Sequence, residues 1–156
     1  MAFRVFISHS TDDLGLVYRL KDWLEVNGIE TYLAEAHPQP GVSLSDKISN
    51  AINQSNCLIA VLTRDGTRSQ WVNQEIGYAK KAGRIIIPLV EQGVPHTGFV
   101  RDVEYIQFNR LNPTDAINRI VESLTKLKAD KEARDKMVAG TIILLGLLAL
   151  AASAKG

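Results

Sequence analysis

The stretch Cys57–Thr63, CLIAVLT, is an almost unbroken apolar run and constrains the fold more than any other segment. A strand with one wet face alternates apolar and polar residues; a strand covered on both faces does not. Such a run belongs inside a sheet with layers packed on each side, as parallel sheets are built. Arg84–Val90, RIIIPLV, has the same character. Arg4–Ser8 (RVFIS) and Ile29–Ala34 (IETYLA) are shorter β-branched and aromatic runs, and Glu104–Phe108 (EYIQF) is more polar, as an edge strand is.

Segments of helical period separate these runs. Val17, Leu20 and Leu24 recur at helical spacing, with Thr11 or Asp12 placed to cap the start and Gly28 to end it. EAHPQPG is a loop, because its prolines and glycine do not fit a helix interior. Ser43 followed by Asp46 resembles a capping box ahead of Leu44, Ile48 and Ile52. RDGTR predicts a turn, and a helix over about Ser69–Ala82 places Val72, Ile76 and Ala79 on its packed face. Asn112, Pro113 and Asp115 start a last helix with a stripe of Ile117, Ile120, Leu124 and Leu127. Strands alternating with helices predict an α/β fold: a five-stranded parallel sheet with right-handed crossovers.

Charge and cysteine usage narrow the function classes. Lys plus Arg number 18 and Asp plus Glu 17, which argues against broad electrostatic binding of nucleic acid. Cys57 alone supplies neither an internal disulfide nor a zinc site, and a reducing cytosolic setting is expected. MAFRVFISHS shows no secretory signal. Residues 137–154, MVAGTIILLGLLALAASA, carry no charge and follow the basic KLKADKEARDK. As a helix they span ~27 Å, close to the ~30 Å core of a bilayer. They predict a C-terminal hydrophobic helix, either a tail anchor with the globular part in the cytoplasm or a self-association helix. The expected organisation is a domain over 1–128, a charged connector over 129–136 and the apolar helix over 137–154.

The segment SQWVNQEIGY, Ser69–Tyr78, carries the functional question. On a helix, Trp71, Glu75 and Tyr78 fall at i, i+4 and i+7, beside the packed stripe rather than in it. They sit near the helix start, at the carboxyl ends of the strands, where open α/β sheets bind ligands. On spacing alone, a glutamate solvating a helix beside a rim tryptophan that covers the core is the simpler explanation of the pair. The first strand runs into SHSTDD on the same rim, where helix-start amides with Ser10, Thr11 and His9 suit either a phosphate or plain capping.

FRVFISHSTDD, the Pro40–Gly41 pair before a helix, SNCLIAVLT, SQWVNQE and GYAKKAGRIIIPLV together resemble the Toll/interleukin-receptor (TIR) domain over about residues 3–127, in the style of its prokaryotic members. That resemblance implies a flavodoxin-like fold, sheet order 2-1-3-4-5, with helices on both faces. It also implies one of two functions: a scaffold recruiting other TIR domains, or an enzyme cleaving NAD+ at the nicotinamide–ribose bond. In the enzymatic reading Glu75 is the catalytic carboxylate, and Phe6, His9, Ser10, Thr11, Leu44, Ser69 and Trp71 bind substrate. NAD+ is substrate, no cofactor or metal is implied, and the partners are other copies of the domain, with a membrane reached through 137–154. For Leu44 the residues alone favour a core position. Val72 and Thr63 depart from the commoner cysteine and serine, and EAHPQPGVSL lacks the acidic-then-apolar pattern common before Pro-Gly. A glycosyl-transfer enzyme such as a nucleoside deoxyribosyltransferase is a further alternative, and an FMN protein a weaker one.

Overall fold

The computed structural model describes residues 3–34, 39–95 and 98–154, without the side chains of 141–148 and 150–154. The five strands are β1 Arg4–Ser8, β2 Glu30–Tyr32, β3 Cys57–Leu62, β4 Ile85–Glu91 and β5 Ile106–Phe108. The helices are α1 Leu14–Val26, α2 Leu44–Asn53, α3 Arg64–Arg68, α4 Gln70–Lys81 and α5 Thr114–Ala154. All strands pair in parallel in the order β2-β1-β3-β4-β5. This is the expected sheet order, with helices covering it.

All six residues of β3 are buried, as its unbroken apolar run requires. Cys57, the first of them, has its thiol pushed up to about 12 by burial. Phe6, Leu58, Ala60, Leu62 and Val90 turn to one face of the sheet. There they meet Ile48, Ala51 and Ile52 of α2 and Val72, Ile76 and Ala79 of α4. Val17, Leu20 and Leu24 of α1 are buried as their spacing predicts, and Gly28 at φ 78 ends that helix. β2 and β5 are three residues each, shorter than the apolar runs that predict them.

Two local expectations are corrected. RDGTR is one helical turn, α3, rather than an irregular turn. Gly66 is required there, because a Cβ on it would stand 2.3 Å from the Val61 carbonyl oxygen. The cap before α1 is neither Thr11 nor Asp12. Ser10 Oγ accepts from Asp12 N at 3.3 Å, opening a 3-10 turn at Thr11–Asp13 ahead of the helix. By contrast Ser43 caps α2 as expected, accepting from Asp46 N at 3.0 Å.

The turn after β1 is pinned from inside. Asp13 is buried, and Thr63 Oγ1 at the end of β3 donates to its Oδ2 at 2.6 Å. Arg110, just past β5, donates to Asp13 Oδ1 at 2.9 Å and to Glu91 Oε2 of β4 at 2.6 Å. Hydrogen bonds from Arg110 to Glu91 and then Asp13 hold its guanidinium above its ordinary pKa, so it stays cationic.

By internal contacts the chain divides into a unit over Met1–Val121 and one over Glu122–Gly156. Within the second, Lys131 pairs with Asp135 one turn on at 2.6 Å. Most side chains of the apolar tail 137–154 lie outside the described residues. Among the described residues no helix is long and apolar enough to cross a membrane.

The Asp13 knot makes a stability prediction. Arg110→Met leaves a buried carboxylate with one hydroxyl partner and costs about 2 kcal/mol, discounted for the half-exposed guanidinium. Thr63→Val costs about 1–2 kcal/mol. Urea unfolding midpoints measure both, and losses under about 0.5 kcal/mol for each would show the knot to be incidental.

Candidate functional site

The carboxyl ends of parallel strands and the amino ends of the following helices meet at one rim, and the candidate site is built there. β1 delivers His9, Ser10 and Thr11 just past Ser8. α2 brings Leu44 and Ile48 from its first two turns. α4 brings Trp71 and Glu75 from its own, after Ser69, whose Oγ accepts from Val72 N at 3.3 Å. With Ala34, these side chains line one cavity of about 200 Å³.

The helix period places the two α4 residues as it does. Val72, Ile76 and Ala79 are buried against the sheet. Trp71, 53% exposed, and the half-buried Glu75 stand one turn apart on the neighbouring flank. Both also line an adjoining cavity of about 120 Å³ with Ser45, Ile48 and Tyr78, so the tryptophan and the carboxylate stand between two hollows. Tyr78 accepts a hydrogen bond from Asn53 Nδ2 at 2.9 Å and ties α4 to α2 across that second hollow.

The β1 turn is polar and fixed. His9 Nδ1 lies 2.8 Å from the Ser10 carbonyl oxygen, which can only accept, so the proton is on Nδ1. Asp13 N donates to the same carbonyl at 3.0 Å. On the opposite wall, the buried Lys47 donates to the Ala34 carbonyl at 2.6 Å, anchoring the end of β2 to α2.

His9, Ser10, Thr11, Leu44, Ser69, Trp71 and Glu75 are thus brought together on one cavity. Phe6 is not with them. It is 1% exposed and stacks on Tyr32 at 5.5 Å, a core ring beneath the site rather than a lining residue. Leu44 is 47% exposed, which corrects the core position that its spacing suggested. It occupies the first position of α2 and lines the cavity. Residues that sequence reasoning missed are Ala34, Ile48 and, in support, Asp13, Lys47 and Arg110. Ile48 was legible only as core, and it serves both roles. Among the described residues no three His, Cys, Asp or Glu side chains gather as a metal-holding group.

This rim, built on a 2-1-3-4-5 parallel sheet, defines a TIR-type α/β domain. The TIR domain family model matches residues 5–121, and the chain belongs to that family. Among solved structures it is similar to the TIR domain of the Toll-related receptor TRR-2 from Hydra magnipapillata, with 20% identity and a TM-score of 0.62 over 84% of this chain and 95% of that one. It is similar to the TIR domains of the activated Roq1 resistosome, which recognises the pathogen effector XopQ, with 17% identity and a TM-score of 0.67 over 79% of this chain and 99% of that one. The Clostridium botulinum CMP N-glycosidase BcmB shares the fold at 21% identity and a TM-score of 0.57, over 75% and 97% of the two chains. No curated protein matches the chain.

Trp71 and Val72 are neighbours in sequence with opposite surroundings, and they are expected to part in stability. Trp71→Ala costs under about 1 kcal/mol because the ring is half solvated, whereas Val72→Ala costs about 2 kcal/mol through a core cavity. Thermal or urea unfolding compares them; a larger loss for Trp71 would place its ring in the core and out of the site.

Proposed function

We propose that the chain cleaves NAD+ at the nicotinamide–ribose bond, releasing nicotinamide and ADP-ribose or a cyclised form of it. The observation that carries this reading is the convergence of Glu75, Trp71 and the β1 turn on one cavity. Nicotinamide in NAD+ is a cationic ring and departs neutral, taking the bonding electron pair. No acid is needed to protonate it, unlike the two-carboxylate pattern of most glycosidases. One carboxylate suffices: Glu75 offsets the positive charge growing on the ribose and accepts from its hydroxyls. Trp71 offers an indole face to the cationic ring, an attraction lost as the ring becomes neutral. Ser10, Thr11 and His9 supply polar contacts to the ribose or pyrophosphate. That BcmB is named a CMP N-glycosidase agrees with the fold hosting cleavage of the same bond type in another protein.

The cavity of about 200 Å³ takes one end of a dinucleotide, below the ~300 Å³ and more of typical ligand pockets. A second copy of the domain, meeting the Glu35–Ser43 connection beside Ala34, would enclose the rest. Activity then follows self-assembly. The helix over 137–154, as a membrane anchor or a self-association element of a cytoplasmic domain, would raise effective concentration and favour that assembly. Antiphage defence or immune signalling fits such a switch.

A second reading has its own observation. Val42 at 48% exposure, Leu44 at 47% and Trp71 at 53% are large apolar groups on one rim. They suit a non-catalytic, membrane-tethered scaffold working through homotypic contacts.

Chromatography of NAD+ incubated with assembled protein separates the two. Wild type is expected to release nicotinamide, and Glu75→Gln to release it at least ~10²-fold more slowly, about 2.7 kcal/mol of transition-state stabilisation. An assembled wild type that releases none leaves the scaffold; equal rates for the two proteins remove Glu75 from the chemistry.

A further inference from the structure

We propose that the hollow between α3 and the turn after β4 is a second binding site, for an anion carrying a di- or polyphosphate. Arg64 and Arg68 stand one turn apart on α3 and, with Thr67, Glu91, Gln92 and Gly93, line a cavity of about 510 Å³. Its size lies within the range of small-ligand pockets. Both arginines are exposed, and among the described residues neither joins an ion pair. Arg4 and Arg110, by contrast, are committed to carboxylates.

Two like charges at i and i+4 repel, an arrangement that a bridging dianion relieves. Guanidinium forks match phosphate oxygens in pairs. Glu91 in the wall is turned to Arg110, whose Nε donates to its Oε2 at 2.6 Å; that cation is shared with Asp13, so the positive charge facing the hollow comes from Arg64 and Arg68. Gly93, at φ 86, turns the backbone along the facing wall without a side chain to narrow it.

The site is coupled to the first by the chain itself. Ser69 ends α3, donating its N–H to the Gly66 carbonyl at 3.2 Å. The same residue starts α4 through its hydroxyl and lines the Glu75 cavity. An anion that fixes α3 therefore fixes Ser69, Trp71 and Glu75 with it. This coupling rests on the NAD+-cleaving reading; the binding site does not.

Titration calorimetry with inorganic pyrophosphate, on the full chain carrying Glu75→Gln, tests the site without turnover. Saturable 1:1 binding is expected, at least tenfold weaker when Arg64→Gln and Arg68→Gln are added and only partly weakened by lysine at both positions. Equal affinity in the double glutamine variant, binding without saturation, or none overturns the site. For the coupling, pyrophosphate is expected to change NAD+ turnover at least threefold in wild type and not in Arg64→Gln/Arg68→Gln. The same change in both proteins would place pyrophosphate at the substrate cavity and overturn the coupling, as would no change in wild type with measurable turnover. A wild type without any turnover overturns the NAD+ reading and with it the coupling, while the calorimetry still decides the site.

Discussion

A carboxylate with no access to water organises the cavity-bearing rim of this domain. Asp13 belongs to the turn that carries Ser10 and Thr11, and its two oxygens are taken by Thr63 and Arg110. Those partners come from the ends of β3 and β5, so one side chain stitches the first turn to the middle and the edge of the sheet. The polar turn above the apolar sheet is thereby tied to the most buried strand. The geometry of the β1 wall follows from that anchorage, as the α4 wall follows from the period of Val72, Ile76 and Ala79.

The two walls have different physical origins, and this explains what each contributes. The β1 wall presents small polar groups held by backbone and buried ionic contacts, which suits recognition of hydroxyl or phosphate oxygens. The α4 wall presents a half-solvated indole and a carboxylate on the flank of a well-packed helix, which suits a cationic ring and a developing positive charge. Phe6, stacked on Tyr32 below both, contributes through packing.

The sheet was legible in the sequence because burial on both faces leaves a direct mark: an apolar run without alternation, as in β3. The α4 pair was legible because a helix converts spacing of four into adjacency, and the cap at Ser69 fixes where counting starts. The Asp13 knot was not, since Thr63 and Arg110 are distant in sequence and only the closed sheet brings them to one point. Leu44 and Ile48 share a helical stripe, and spacing could not say that the first is half-exposed on the cavity while the second reaches both core and cavity. RDGTR carries turn-forming residues, yet Thr63 caps it and Gly66 fits under the Val61 carbonyl, so it winds into a helix.

That a ligand occupies the hollow between the β1 turn and α4 is the claim on which the account stands. Backbone amide chemical shifts of the Glu75→Gln chain, titrated with NAD+, report it most directly. The account predicts that amides of residues 9–11 and 69–75 shift together and saturate, while those at the opposite, amino-terminal edge of the strands stay fixed. Saturating shifts confined to any other surface, with residues 9–11 and 69–75 unmoved, would contradict it.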